Sequence, residues 1–218
     1  MQQSPLQPLF LWLVKNKQSI IKVWYTINMI IFLGIVAMTV FYLQQLYIPE
    51  FSTWGKRFGQ FSVLLFCITI TPGIMRRLQL KWKIKDIIML FRRQLGIFTF
   101  IFAFIHYLTM SFLPTIVFKL PLLPVSSLQV MGLLSIYPMA LVFFTSNDWS
   151  VKRLGKWWSR IHSLVYIIAW TIFFHVFLQG PLSVWGYLIG TYAILETASL
   201  LFAPYLRPKV TPPPVKPV

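Results

Sequence analysis

Acidic residues are scarce in this chain, and their scarcity excludes several classes of protein. Glu50, Asp86, Asp148 and Glu196 are opposed by 20 lysines and arginines, which gives a formal net charge of +16. A soluble nucleic-acid-binding protein would collect such a charge on one face. Here the basic residues form short clusters between apolar runs, as anchors at the ends of membrane segments do. We therefore expect no nucleic acid among the partners.

Cysteine and nucleotide-binding signatures are also lacking. The single cysteine, Cys67, excludes an intramolecular disulfide and a thiolate metal cluster. No G-x-G-x-x-G or phosphate-binding loop occurs, so any nicotinamide or nucleotide chemistry would be supplied by another protein. Residues 1–14 lack the charged start and the small-residue cleavage site of a secretory signal, and we expect them to be retained.

Long apolar runs dominate what is present. Hydrophobic residues make up 57% of the 218 residues, and the mean hydropathy is +0.71. A helix that spans a bilayer needs about 20 mostly apolar residues, because its backbone polar groups must be satisfied within the segment. Six stretches qualify: Ile20–Leu43, Phe58–Met75, Gln94–Leu113, Leu128–Thr145, Trp157–Leu178 and Leu182–Ala203. The predicted fold is all-α, a polytopic membrane bundle of six transmembrane helices, of which the second and fourth are short.

The segments between and beyond these helices complete the predicted organisation. Residues 1–19 form a cytoplasmic N-terminal segment, residues 20–203 the transmembrane domain, and residues 204–218 a disordered, proline-rich cytoplasmic tail. Pro114, Pro121 and Pro124 are expected to break the chain after the third helix.

The distribution of lysine and arginine predicts the orientation of the bundle. With the N-terminus inside, 17 basic residues fall in the cytoplasmic segments, and only Lys56, Arg57 and Lys119 fall outside. Positively charged segments stay on the cytoplasmic side during insertion. Both termini are therefore predicted to be cytoplasmic in a bacterial inner membrane.

All three histidines lie in predicted transmembrane helices, where an ionisable residue suggests function. His106 is twelve residues into the third helix, about 18 Å along its axis, and His175 is eighteen residues into the fifth, about 27 Å along. With tilt, both rings lie in the outer half of the bilayer. Two neutral imidazoles from different helices are the axial pair of a low-spin b-type haem. For each histidine alone, an interhelical hydrogen bond is an equally good interpretation.

His162 is the third candidate ligand, about 20 Å from His175 along the fifth helix and near the cytoplasmic surface. It could hold a second haem, although an ideal helix places the two rings about 140° apart. Haem propionates need cations near a membrane surface. Arg92, Arg93 and Arg160 are candidates for this role, and so are Arg76 and Arg77. Taken singly, each of these arginines is better explained as a positive-inside anchor.

These residues together resemble a known family. The run Arg92-Arg93-Gln94-Leu95-Gly96 followed by His106, and the run 154–166 followed by His175, are similar to the third and fifth helices of ferric-reductase-like transmembrane proteins. Gly59 and the Ile70-Thr71-Pro72 run in the second helix also match. The resemblance covers roughly residues 55 to 180. Larger members of the family carry a second histidine in the third helix, where this chain has Arg92 or Arg93.

The small size, the single third-helix histidine and the lack of a flavin–nicotinamide domain resemble one group of this family most. Its members are haem-binding membrane subunits of periplasmic methionine sulfoxide reductase systems. The resemblance implies b-type haem, for which His106 and His175 are the candidate iron ligands and His162 the candidate ligand of a second haem, and FMN as an optional cofactor. It also implies electrons from the quinone pool and a periplasmic molybdopterin-containing methionine sulfoxide reductase as acceptor. Such a chain transfers electrons and has no catalytic residue of its own.

Two other functions stay open at this point. A ferric or other metal reductase component that works with a separate flavoprotein would need the same haem ligands. A transporter or structural membrane protein could use the histidines only in interhelical hydrogen bonds, and it would be colourless when purified.

Overall fold

The computed structural model describes residues 5–43, 50–117, 119 and 126–206, and this part of the chain is almost wholly helical, without strands. Nine α-helices follow one another, with one π-helical turn, Leu108–Phe112, between the third and the fourth. They are α1 (Gln7–Leu43), α2 (Glu50–Arg77), α3 (Lys83–Tyr107), α4 (Leu113–Val117), α5 (Ser127–Phe144), α6 (Asp148–Leu154), α7 (Lys156–His162), α8 (Val165–Gln179) and α9 (Val184–Leu206).

Six helical segments of the described residues are long and apolar enough to cross a membrane, which confirms the predicted fold class. They are Gln7–Phe41, Ser52–Arg77, Lys83–Ile116, Ser127–Phe144, Lys156–Gln179 and Val184–Leu206. The prediction of a short second helix is wrong, because α2 has 28 residues. The apolar run stops at charged residues such as Lys56, but the helix continues because long basic side chains reach toward the interface.

The chain after the predicted third helix does not break at Pro114, contrary to expectation. The π-helical turn ends at Phe112, two residues before this proline, and the N–H of Leu113 bonds to the carbonyl of Leu108. A π turn changes the register of the backbone bonds, and it occurs often at functional sites. The missing N–H of Pro114 is thus accommodated within a helix that continues to Val117. Pro121 and Pro124 lie outside the described residues.

The fifth span is interrupted, and this separates two of the histidines. Gly155, with φ of 51°, separates α6 from α7, and residues 163–164 separate α7 from α8. His162 ends α7, whereas His175 lies in α8. The angle of about 140° expected for one ideal helix therefore does not apply to this pair.

The core forms where α2 packs between α3 and α9, and where α5 packs on α8. Small side chains permit close approach there, because Ala169 and Ala193 are completely buried and Cys67 is nearly so. Helix α1 lies at the periphery and contacts α3 through Trp24, whose ring centroid is 5.2 Å from that of Phe98.

The antiparallel helices give the bundle two chemically different ends. We call the end with the start of α2, the π turn, the start of α5 and the α8–α9 connection the histidine end. The opposite end holds the end of α2, the start of α3 and the end of α9, and we call it the arginine end. Arg76, Arg77, Arg92 and Arg93 lie at the arginine end.

Candidate functional site

His106 and His175 come together between two spans, as predicted from their depths. Their ring centroids are 6.1 Å apart, and the ring planes make an angle of 76°. His106 is one residue before the end of α3, and His175 lies four residues before the end of α8. Both are therefore close to the histidine end of the bundle.

A backbone carbonyl orients each ring. Nδ1 of His106 is 2.9 Å from the carbonyl oxygen of Gly55, and Nδ1 of His175 is 2.9 Å from that of Leu128. A carbonyl oxygen only accepts, so Nδ1 must carry the hydrogen and donate it. The second nitrogen, Nε2, is then left with a lone pair, which is the form of imidazole that binds a metal.

Two glycines make room for the rings, and each stands four residues after the carbonyl that its ring binds. A Cβ added to Gly59 would lie 2.9 Å from Nδ1 of His106, and one added to Gly132 would lie 3.1 Å from Nδ1 of His175. Real Cβ atoms essentially never come closer than 3.0 Å to another heavy atom. Gly59 therefore leaves space that a Cβ would take from the ring of His106, and at Gly132 a Cβ would make a tight contact that the ring of His175 could relieve only by shifting by a few tenths of an ångström.

A cavity of about 720 Å³ contains both histidines. Its walls come from α2, α3, the π turn, α5, α8 and the start of α9. Deeper in the bundle than the histidines, the lining is mostly apolar: Val63, Ala103, Ile136, Met139 and Ile172. Toward the histidine end the lining is mixed: the polar residues Lys56, Ser111, Ser126, Gln179 and Ser183 lie there together with the apolar residues Met110, Leu128 and Trp185.

The histidine pair and the cavity fit a haem. With metal–nitrogen bonds of about 2 Å on each side, two axial imidazoles have centroids about 6 Å apart. The observed separation of 6.1 Å agrees with this. The volume lies in the range of ligand-sized cavities, about 300–1,000 Å³. No group of three or more His, Cys, Asp or Glu that could bind a bare metal ion occurs within the described ranges.

The structure does not bring His162 to this cavity. Its ring stacks on Trp158 with a centroid distance of 4.0 Å, and Nε2 is 3.2 Å from Oγ1 of Thr145. Thr145 directly follows α5, so His162 lies toward the arginine end. Its role as a ligand of a second haem stays a prediction.

The three predicted anchor arginines also lie away from the cavity. Nε of Arg92 donates to the carbonyl of Thr69 at 3.3 Å, and the guanidinium of Arg160 lies 4.6 Å from the centre of a ring of Trp157. Arg93 pairs with Asp148 at 2.7 Å. The hydrogen bond from Arg93 holds the pKa of Asp148 below its ordinary value, so this exposed carboxylate is ionised at neutral pH. Any cofactor bound by these arginines would lie at the arginine end.

Sequence reasoning missed a buried ion pair at that end. Nη2 of Arg77 lies 2.6 Å from Oε2 of Glu196, and both side chains are largely buried. Nε of Arg77 also donates to Oγ of Ser199 at 2.8 Å, and Nη1 donates to the hydroxyl of Tyr166 at 3.2 Å. The signal was present in the sequence, because Glu196 is the only acid within the last span and an intramembrane acid requires a cation.

Comparison with known proteins decides the family. Residues 33–173 match the family described as "Ferric reductase like transmembrane component". The chain belongs to this family. The match includes His106, His162 and both glycines that pack against the rings, and it ends two residues before His175. The resemblance inferred from the sequence motifs is confirmed.

Among curated proteins, this ferric-reductase-like chain is similar to subunits of one bacterial system. It is 33% identical over 122 residues to "Protein-methionine-sulfoxide reductase heme-binding subunit MsrQ" of Rhizobium meliloti (strain 1021), covering 53% of this chain and 50% of the relative. It is 30% identical over 167 residues to the protein of the same name from Brucella ovis, covering 71% of this chain and 66% of the relative. The matches thus span from half to about two thirds of the relatives' own length. No solved structure matches significantly.

Six apolar helices and bacterial relatives of this family identify the chain as a multi-pass protein of the bacterial inner membrane. The predicted localisation is confirmed.

Proposed function

We propose that this chain is a membrane electron-transfer subunit that carries haem b between His106 and His175. The observation that supports the proposal most is the pair itself. The two rings lie at the separation of axial ligands, and each is held by a carbonyl that leaves Nε2 ready to bind iron. Haem supplies one-electron redox chemistry, while the protein sets its position, its burial and its axial ligands.

The direction of electron flow follows from the proposed orientation. Basic residues are concentrated at the arginine end and in both terminal segments, which favours a cytoplasmic location for that end. The histidine end, with the haem cavity, then faces the periplasm. Electrons would enter from the quinone pool, directly or through FMN, and leave to an acceptor in the periplasm.

A methionine sulfoxide reductase is the acceptor that we propose, in the form of a periplasmic molybdopterin-containing enzyme. The support is similarity to relatives named as haem-binding subunits of protein-methionine-sulfoxide reductase. Reduction of one sulfoxide consumes two electrons and two protons and releases water, so oxidation of one quinol balances it. The chain needs no catalytic residue for this role, because the sulfoxide is reduced on the partner.

A metal reductase that works with a separate flavoprotein is the second candidate, and the name of the matched family favours it. The absence of a three-ligand metal group within the described ranges argues against a bound metal substrate.

Reoxidation of the haem distinguishes the two functions. Membranes that contain the chain are reduced with a quinol, and the reduced haem band is followed after the sulfoxide reductase and methionine sulfoxide are added together. We expect rapid reoxidation that requires both additions, and membranes that contain the His175→Ala protein should show no low-spin haem band to follow. Reoxidation by ferric chelates, without any response to the reductase and its substrate, would favour the metal reductase.

A further inference from the structure

The residues that line the cavity become less polar along the axis of the bundle, from the histidine end inward. In α2, Lys56 precedes Gly59 by three residues and Val63 follows it by four. In α8, Gln179 follows His175 by four residues and Ile172 precedes it by three. At 1.5 Å per residue, Lys56 and Gln179 lie about 5–6 Å from Gly59 and His175 toward the histidine end. Val63 and Ile172 lie about as far from them in the opposite direction. The cavity therefore has its one lysine and most of its polar residues at the end that we call its mouth, and a mostly apolar, uncharged depth.

Serine hydroxyls in the deeper part do not change this polarity. Oγ of Ser62 donates to the carbonyl of Thr99 at 2.9 Å, and Oγ of Ser135 donates to that of Met131 at 2.8 Å. Their hydrogens are used within the protein and are not offered to a ligand. No charged side chain lines the deep part of the cavity, as far as the structure describes its lining.

Lys56 is the single charged residue among the described residues that line this cavity. It follows Gly55, whose carbonyl holds Nδ1 of His106. The backbone of Lys56 therefore directly follows the residue that orients the ring, and its side chain lines the cavity.

The arginines at the arginine end are too far away to bind an anionic group at the mouth of the cavity. Fourteen residues separate Arg92 from His106, about 21 Å of helix. Arg93 and Arg77 are in addition engaged with Asp148 and Glu196.

We propose that the haem in this cavity lies with its two carboxylates toward the histidine end, and that Lys56 is the cation that binds them. The inference rests on the proposed function, since it requires a haem between His106 and His175. Haem has one edge with two propionates and an opposite edge of methyl and vinyl groups, so it matches the polarity of the cavity in one direction only. Lys56 is a positioning and binding residue here, distinct from the iron ligands. The anchors lie at this end and not among the arginines that the sequence suggested.

Infrared difference spectroscopy tests this assignment on the full-length protein with haem bound. Haem is labelled with ¹³C in its propionate carboxyl groups during growth, and the reduced-minus-oxidised spectrum identifies the carboxylate bands by their isotope shift. In Lys56→Gln, we expect these labelled bands to move, because the carboxylates lose their charged partner. In the matched control Arg57→Gln, which removes the neighbouring exposed cation, the bands should remain as in the wild type.

The Lys56→Arg variant distinguishes loss of the positive charge from a failure of the substituted protein to fold. It keeps the positive charge but replaces the compact ammonium group by a planar guanidinium group. The carboxylate bands should therefore move slightly, while the haem content stays at the wild-type level. Loss of haem in Lys56→Gln, with full haem in Lys56→Arg and Arg57→Gln, would also support the assignment. Unmoved bands in Lys56→Gln or Lys56→Arg at full haem content would overturn it, as would equal movement in Arg57→Gln. Absence of haem from the wild type would refute the proposed function instead.

Discussion

The imidazole of His175 lies against the backbone of Gly132, where an added Cβ would stand 3.1 Å from both Nδ1 and Cε1 of the ring. The same relationship holds for His106 and Gly59. In both places a helix carbonyl binds the ring and the glycine one turn later leaves the space open. The glycines are therefore part of the site although they offer no side chain to a ligand.

Substitution of either glycine should weaken haem binding. Gly59→Ala and Gly132→Ala each push an imidazole away from its carbonyl, at a cost of about 1–3 kcal/mol, or roughly 5- to 150-fold in haem affinity. Haem titration of membranes or purified protein measures the effect. Gly96→Ala is the matched control, because the nearest atom to its added Cβ is 3.8 Å away. Equal haem binding by all three variants would refute the steric role of these glycines.

The angle between the histidine rings predicts a spectroscopic property. Ring planes that are 76° apart are close to perpendicular. Perpendicular axial imidazoles leave two iron d orbitals nearly equal in energy, which spreads the g values of the low-spin ferric state. We expect a strongly anisotropic low-spin signal in the electron paramagnetic resonance spectrum. A rhombic signal of the kind given by parallel imidazoles would show that the rings rotate when haem binds.

The buried Arg77–Glu196 pair should contribute strongly to the stability of the bundle. Arg77→Leu leaves a buried carboxylate without its partner and should lower the free energy of unfolding by about 3–5 kcal/mol. The double variant Arg77→Leu/Glu196→Leu should recover most of that loss, since both charges are gone. Unfolding in mixed detergent measures both. Asp148→Asn is the control, because its partner Arg93 is exposed and no measurable change is expected. A double variant no more stable than the single one would mean that the pair has another role.

The distribution of basic residues predicts the topology. A reporter that is active only in the cytoplasm should work when fused to either terminus, since 17 of the 20 lysines and arginines then lie on the cytoplasmic side. A reporter that folds only in the periplasm should be inactive at both positions. Periplasmic activity at the C-terminus would place one terminus outside and reverse the proposed direction of electron flow.

Local sequence information was sufficient for the helices and for the proximity of His106 and His175. Spans follow from the length of apolar runs, and His106 and His175 could be paired because depth along a helix is a simple count. The break expected at Pro114 was wrong, because the preceding π turn depends on backbone register and not on composition.

The groups that surround His106 and His175 could not be predicted from local sequence. The carbonyls of Gly55 and Leu128 belong to helices far along the chain, and only packing brings them to the rings. The pairing of Arg77 with Glu196 spans 119 residues, and nothing local connects the two. Lys56 counted as one of three outside charges, and its place in the lining of the cavity appears only when α2 is packed against its neighbours.

The reduced-minus-oxidised absorption spectrum of the purified protein, with haem quantitation, tests the central claim most directly. The wild type should show a low-spin b-type haem, and His106→Ala and His175→Ala should each lose it, because either substitution removes one axial ligand. His162→Ala should keep this haem, and a fall in its haem-to-protein ratio would reveal a second site. A colourless wild-type protein, or an unchanged low-spin spectrum in both the His106→Ala and His175→Ala variants, would contradict the account.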